Sequence, residues 1–143
     1  MKDKALVYMF RDISQLMALG CKVVSRTRNT FGAELIVRDG KYKLRIDYTK
    51  GRKPKVFVIS PEIDMRNSVE IHTFGAKYHN DYKRKIPELC LTYYEEDKWD
   101  KSMPIIKTFV PWAIEWTEFY ELWLLTGKWF GKGVHPQREK IDD

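Results

Sequence analysis

Cysteine is scarce: the 143 residues contain two, Cys21 and Cys90. That is too few for a disulfide framework, and in a reducing compartment at least one thiol stays free for chemistry. No run approaches the roughly 18 apolar residues of a membrane span. The start of the chain, where Arg11 and Asp12 interrupt a periodic segment, lacks a signal peptide's apolar core and cleavage site, so a cytoplasmic protein is expected. There is no internal repeat, no low-complexity tract and no phosphate-cradling glycine loop. The charge of +6 is spread along the chain without a polybasic arm. Its cations are therefore read as solvated faces rather than a nucleic-acid surface.

What is present fits one domain over residues 1–143, with a frayed tail at about 137–143. Leu6, Met9, Phe10, Ile13, Leu16 and Met17 recur at steps of three and four, which predicts a helix over residues 4–19 that Gly20 can cap. Strands are predicted over residues 33–38, 41–48 and 55–60, the first two joined by a tight Asp39-Gly40 turn. In the second, Tyr42, Leu44, Ile46 and Tyr48 alternate with Lys41, Lys43, Arg45 and Asp47, as in a strand with one wet face.

From Glu62 to Glu88 the periodicity disappears, and the segment is read as a long irregular loop of the kind that often carries function. Ile86-Pro87-Glu88-Leu89-Cys90-Leu91 closes it. Helices return after Ser102 and Pro104, and Pro111 is expected to begin a second one. Trp112, Trp116, Phe119, Tyr120 and Trp123 repeat at helical spacing, a pattern that usually marks core. The fold class is α+β: a helix, an antiparallel meander of three or four strands, a long active-site loop and C-terminal helices.

Lys53-Pro54-Lys55-Val56-Phe57-Val58, Glu88-Leu89-Cys90-Leu91, and Trp99 followed by Ser102-Met103-Pro104-Ile105 resemble the ubiquitin-conjugating enzymes. Leu89-Cys90-Leu91, Trp99, Pro111-Trp112, Glu115-Trp116, Tyr120 to Leu124, Thr126 to Trp129 and Gly131 to Pro136 are similar to a narrower group. These are the stand-alone conjugating-enzyme-like proteins of bacterial CBASS antiphage operons, and the likeness covers about residues 54–136. The resemblance implies a ubiquitin-conjugating-enzyme-like fold. It implies an acyl carrier that takes the C-terminus of a cGAS-like nucleotidyltransferase onto Cys90 as a thioester and passes it to an amine such as a protein lysine, priming antiphage signalling. No cofactor is implied. The family's His-Pro-Asn turn is missing; Tyr78-His79-Asn80 and Ile71-His72-Thr73 are the segments nearest to it, which leaves the oxyanion role open among His72, His79 and Asn80.

Chemically, a thioester carrier needs a thiolate, an accessible carbonyl and donors for the developing oxyanion. Cys90 is the candidate nucleophile, and Lys83, Arg84 and Lys85 would favour its thiolate if the loop folds back. His72 or His79 would position the carbonyl or accept a proton, and Asn80 would donate to the oxyanion. Tyr93 and Tyr94 are candidates to wall the acyl channel, Glu95, Glu96 and Asp97 to orient an amine, and His135 to line the site. Against each stands a plainer role in packing or solvent, and packing is the expectation for Cys21. His72, His79 and Cys90 match no zinc-ligand spacing. The competing function is an inactive adaptor of the same fold that binds the partner's tail without chemistry. The tail tryptophan Trp129 is a candidate partner contact.

Overall fold

A computed structural model describes residues 3–91 and 99–131. Helix α1 (Lys4–Leu19) opens on Asp3, whose side chain accepts from the Leu6 amide, and closes on Gly20 in the left-handed region. Its buried stripe is narrower than the periodicity implies: Met9 and Leu16 are fully covered, whereas Phe10 and Met17 are exposed. Cys21, just beyond, is buried, and burial pushes its thiol pKa up.

Six strands follow: β1 (Lys22–Arg26), β2 (Thr30–Val37), β3 (Tyr42–Thr49), β4 (Lys55–Ser60), β5 (Thr73–His79) and β6 (Arg84–Leu89). They form one antiparallel sheet in the order β1-β2-β3-β4-β6-β5. The β2–β3 turn is built on Asp39 and Gly40, both at positive φ, with the Lys41 amide donating to Arg38 O at 3.1 Å. That backbone twist matches the strands it joins. On one face of the sheet Phe31, Ala33, Leu35, Leu44, Ile46, Val56 and Val58 pack into the core with α1.

The long irregular loop expected over residues 62–88 is corrected by the structure. After a 3-10 turn at Met65–Asn67, the segment forms the β5–β6 hairpin. β6 lies inside, against β4 with Phe57 opposite Glu88, and β5 forms the sheet edge. A register shift between Thr73 and Ala76, at Gly75 with φ 93°, breaks the alternation that would have betrayed the strand.

The C-terminal region is also simpler than expected. Ser102 caps no helix; it bonds to Asp100, and Pro104 leads into a 3-10 turn at Ile105–Lys107. A single helix, α2 (Phe109–Thr126), follows, with Pro111 in its first turn, where its missing N–H costs nothing. Asp12 of α1 fastens this region: its buried carboxylate accepts from the Ile105 amide at 3.2 Å, while Arg11 donates to Ser102 O at 2.8 Å. Among the described residues, no helix is long and apolar enough to cross a membrane.

Candidate active site

Cys90 is the first residue after β6. Its amide donates to His72 O at 2.9 Å, which carries the β5–β6 pairing one step beyond Thr73 opposite Leu89. Cys90 and His72 are therefore cross-strand neighbours, although 17 residues lie between them in the chain. Leu89 and Leu91 belong to the main core cluster and Cys90 does not, although it is only 6 % exposed. Alternation along the strand thus turns Cys90 toward the other sheet face, the one carrying Glu88, Ile86 and Phe57.

His72 is itself unusual. It is buried and holds φ 57°, a left-handed conformation uncommon outside glycine and asparagine. Its ring stacks on Trp129 with centroids 5.3 Å apart. Trp129 in turn packs against Trp116 and Phe119. Trp116 is pinned by its indole N–H, which donates to Ile71 O at 2.7 Å. So α2 and the residue pair beyond Gly127 fix the backbone next to His72. Sequence reasoning singled out His72 and Trp129 separately; nothing in the linear order showed that the two rings meet.

His79 and Asn80 sit at the other end of the hairpin, six residues along from Thr73, or about 20 Å of strand. Both ring nitrogens of His79 are engaged: Nδ1 accepts from the Asp81 amide at 3.2 Å and Nε2 lies 2.8 Å from Asp47. An accepting Nδ1 puts the ring proton on Nε2, directed at Asp47. The structure brings His72, and not His79 or Asn80, opposite Cys90. Lys83, Arg84 and Lys85 also belong to the far end, where Arg84 donates to Ile59 O at 2.8 Å. Tyr93, Tyr94, Glu95, Glu96, Asp97 and His135 lie outside the described residues.

His79 is part of a polar network between the hairpin tip and the sheet. Arg45, 4 % exposed, donates to Asp47 at 2.7 Å and to the Tyr82 hydroxyl at 3.1 Å, and pairs with Asp81 at 2.7 Å. Burial opposes its charge, but contacts with Tyr82, Asp81 and Asp47 reverse that and raise its proton affinity. Tyr82 passes the chain on to Glu34 at 2.5 Å. The Arg45 guanidinium lies directly over Gly32, where a Cβ would come within 2.2 Å of it.

Between this network and β6 runs a groove of about 770 Å³, with Arg52, Lys53, Lys55 and Lys77 at its sides and Glu88 in its wall. Glu88 is the neglected residue here. Its side chain is 13 % exposed, it makes a loose 3.9 Å ion pair with Lys77, and burial raises its carboxyl pKa. The sequence signal for it is only its place two residues before Cys90.

No group of three or more potential metal ligands occurs among the described residues. Residues 14–136 match the family model of the Type II CBASS E2 protein. The match spans most of the chain, and the protein belongs to that family, the E2-like proteins of CBASS antiviral operons. Its role is accordingly an E2-like one in conjugation within CBASS. Comparison with curated proteins gives no match.

Proposed function

We propose that the protein is an acyl carrier with a ubiquitin-conjugating-enzyme-like fold and Cys90 as its nucleophile. The Cys90 thiolate attacks the activated C-terminal carbonyl of a partner protein. The C–S bond forms, the activating group leaves, and an amine later displaces the thiolate to give an amide. The carboxyl must arrive activated, because a free carboxylate does not condense with a thiol in water. On the family resemblance the partner is a cGAS-like nucleotidyltransferase that donates its C-terminal tail, and the amine is a lysine of an acceptor protein.

The observation that carries this reading is the pairing of Cys90 with His72 at the hairpin root. It fixes the Cys90 backbone beside that of His72, whose ring is held by Trp129, while strand alternation turns the thiol away from the core cluster. The alternative, an inactive adaptor, draws its support from the burial of Cys90. The two separate on non-reducing gels after co-expression with the neighbouring synthase. The carrier gives a thiol-sensitive adduct that Cys90→Ala abolishes and Cys90→Ser converts to a thiol-resistant ester. Binding without an adduct in any lane establishes the adaptor.

A further inference from the structure

The geometry points to Glu88 as the general base that prepares the acceptor amine for attack on the Cys90 thioester. Residues i and i+2 of a strand share a face about 7 Å apart. Cys90 continues the β6 pairing through its bond to His72, so its side chain and that of Glu88 stand on the same face. An amine seated between the two would meet the carboxylate on one side and the sulfur-bound carbonyl on the other.

Glu88 lines the groove, and its surroundings favour such a role. Lys55 from β4 and Lys77 from β5 place positive charge near it, and Asp47 from β3 adds negative charge. Neither lysine forms a close ion pair with it: Lys77 stands 3.9 Å away and Lys55 acts only through its charge, while the Asp47 carboxylate repels the ionised form. Burial makes the carboxylate a stronger base than an exposed one, nearer to what proton transfer at neutral pH requires.

The step balances as follows. The Glu88 carboxylate removes one proton from the acceptor's ammonium. The neutral amine attacks the thioester carbonyl, the C–N bond forms, and the C–S bond breaks with its electron pair on sulfur. The second proton leaves the nitrogen for the Cys90 thiolate, and Glu88 releases its own proton to water.

This inference rests on the carrier reading, and one experiment separates the two. The full chain is acetylated with p-nitrophenyl acetate, the Cys90 adduct is located by peptide mass, and its discharge is timed with free lysine and with hydroxylamine. Lysine must lose a proton before it attacks, whereas hydroxylamine is largely neutral at pH 7. In Glu88→Gln the ratio of lysine to hydroxylamine discharge is expected to fall on the order of 100-fold. The rise of the lysine rate with pH through Glu88 ionisation is lost with it, and Glu88→Asp restores part of the ratio. An equal ratio in wild type and Glu88→Gln, with the same pH profile, overturns the role of Glu88 alone. If Cys90 takes no acetyl group in the wild type, the carrier reading falls and Glu88 falls with it.

Discussion

The two histidines of the β5–β6 hairpin stand at its opposite ends and in opposite surroundings. At the root, His72 is stacked on Trp129, sealed from solvent and paired through its backbone with Cys90. At the tip, His79 is bound at both nitrogens within a lattice of charges that runs through Asp47, Arg45, Tyr82 and Glu34. Aromatic rings pack the root around His72. The saturated polar tip has little capacity left for chemistry and acts as a clasp that holds the hairpin to the sheet. A histidine near a candidate nucleophile in sequence is thus a poor guide; the register decides which one belongs to it.

The comparison breaks most severely at Arg45. Replacing it with Met leaves Asp47 and Asp81 without their cation and frees Tyr82, which is expected to cost about 3 kcal/mol. Both aspartates are partly exposed, which keeps the cost at the lower end. Urea denaturation measures it, and if the tip is only a clasp, acetylation of Cys90 under native conditions survives. Full stability in Arg45→Met would show that the network contributes nothing.

Trp129→Ala attacks the root. A fully buried tryptophan is worth about 3–5 kcal/mol; Trp129 is half-buried, so about 2 kcal/mol is expected. Here thioester yield is expected to fall in gels run below the unfolding range. A loss of stability with normal yield would make Trp129 ordinary packing.

The smallest effect is a contrast in pH dependence. Glu34 at the tip suffers burial, but bonds from Tyr82 and Lys43 bring its pKa below the usual 4.5. Its stabilising contribution is present above that value and is lost as pH falls through the folded pKa. Glu88 at the root has a raised pKa, so its contribution is complete below 4.5 and is lost as pH rises through the folded pKa. Glu34→Gln should therefore flatten the acid side of a plot of urea midpoint against pH, and Glu88→Gln the side above 4.5. Slopes of the same sign would contradict the contrast.

Legibility in the sequence followed burial. The helix over residues 4–19 and the strands near 33–38, 41–48 and 55–60 announce themselves because one side of each is wet and the other dry. β1 escaped notice: Lys22 to Arg26 is an edge strand with most residues exposed, so no alternation marks it. β5 is exposed, and its register is shifted at Gly75, while β6 carries Pro87, a residue that argues against a strand. Pro111 marked a helix start, and it occupies the first turn of α2. At the site, Cys90 was singled out by its flanking residues. Its pairing with His72 and the stack on Trp129 depend on long-range register, which local patterns do not encode. Glu88 drew no attention because a lone carboxylate acquires meaning only from burial and facing.

The His72–Trp129 stack also bears on the order in which the root of the hairpin is completed. It joins residues from the middle and the end of the described chain, and such distant contacts form late, after the local hairpins. During synthesis the sheet and Cys90 leave the ribosome well before Trp129. The emerging chain therefore holds His72 without its stacking partner, which arrives only when α2 has been completed and docked. The burial of His72 is in this sense timed by chain length, and the last tryptophan is the latch that seals its ring.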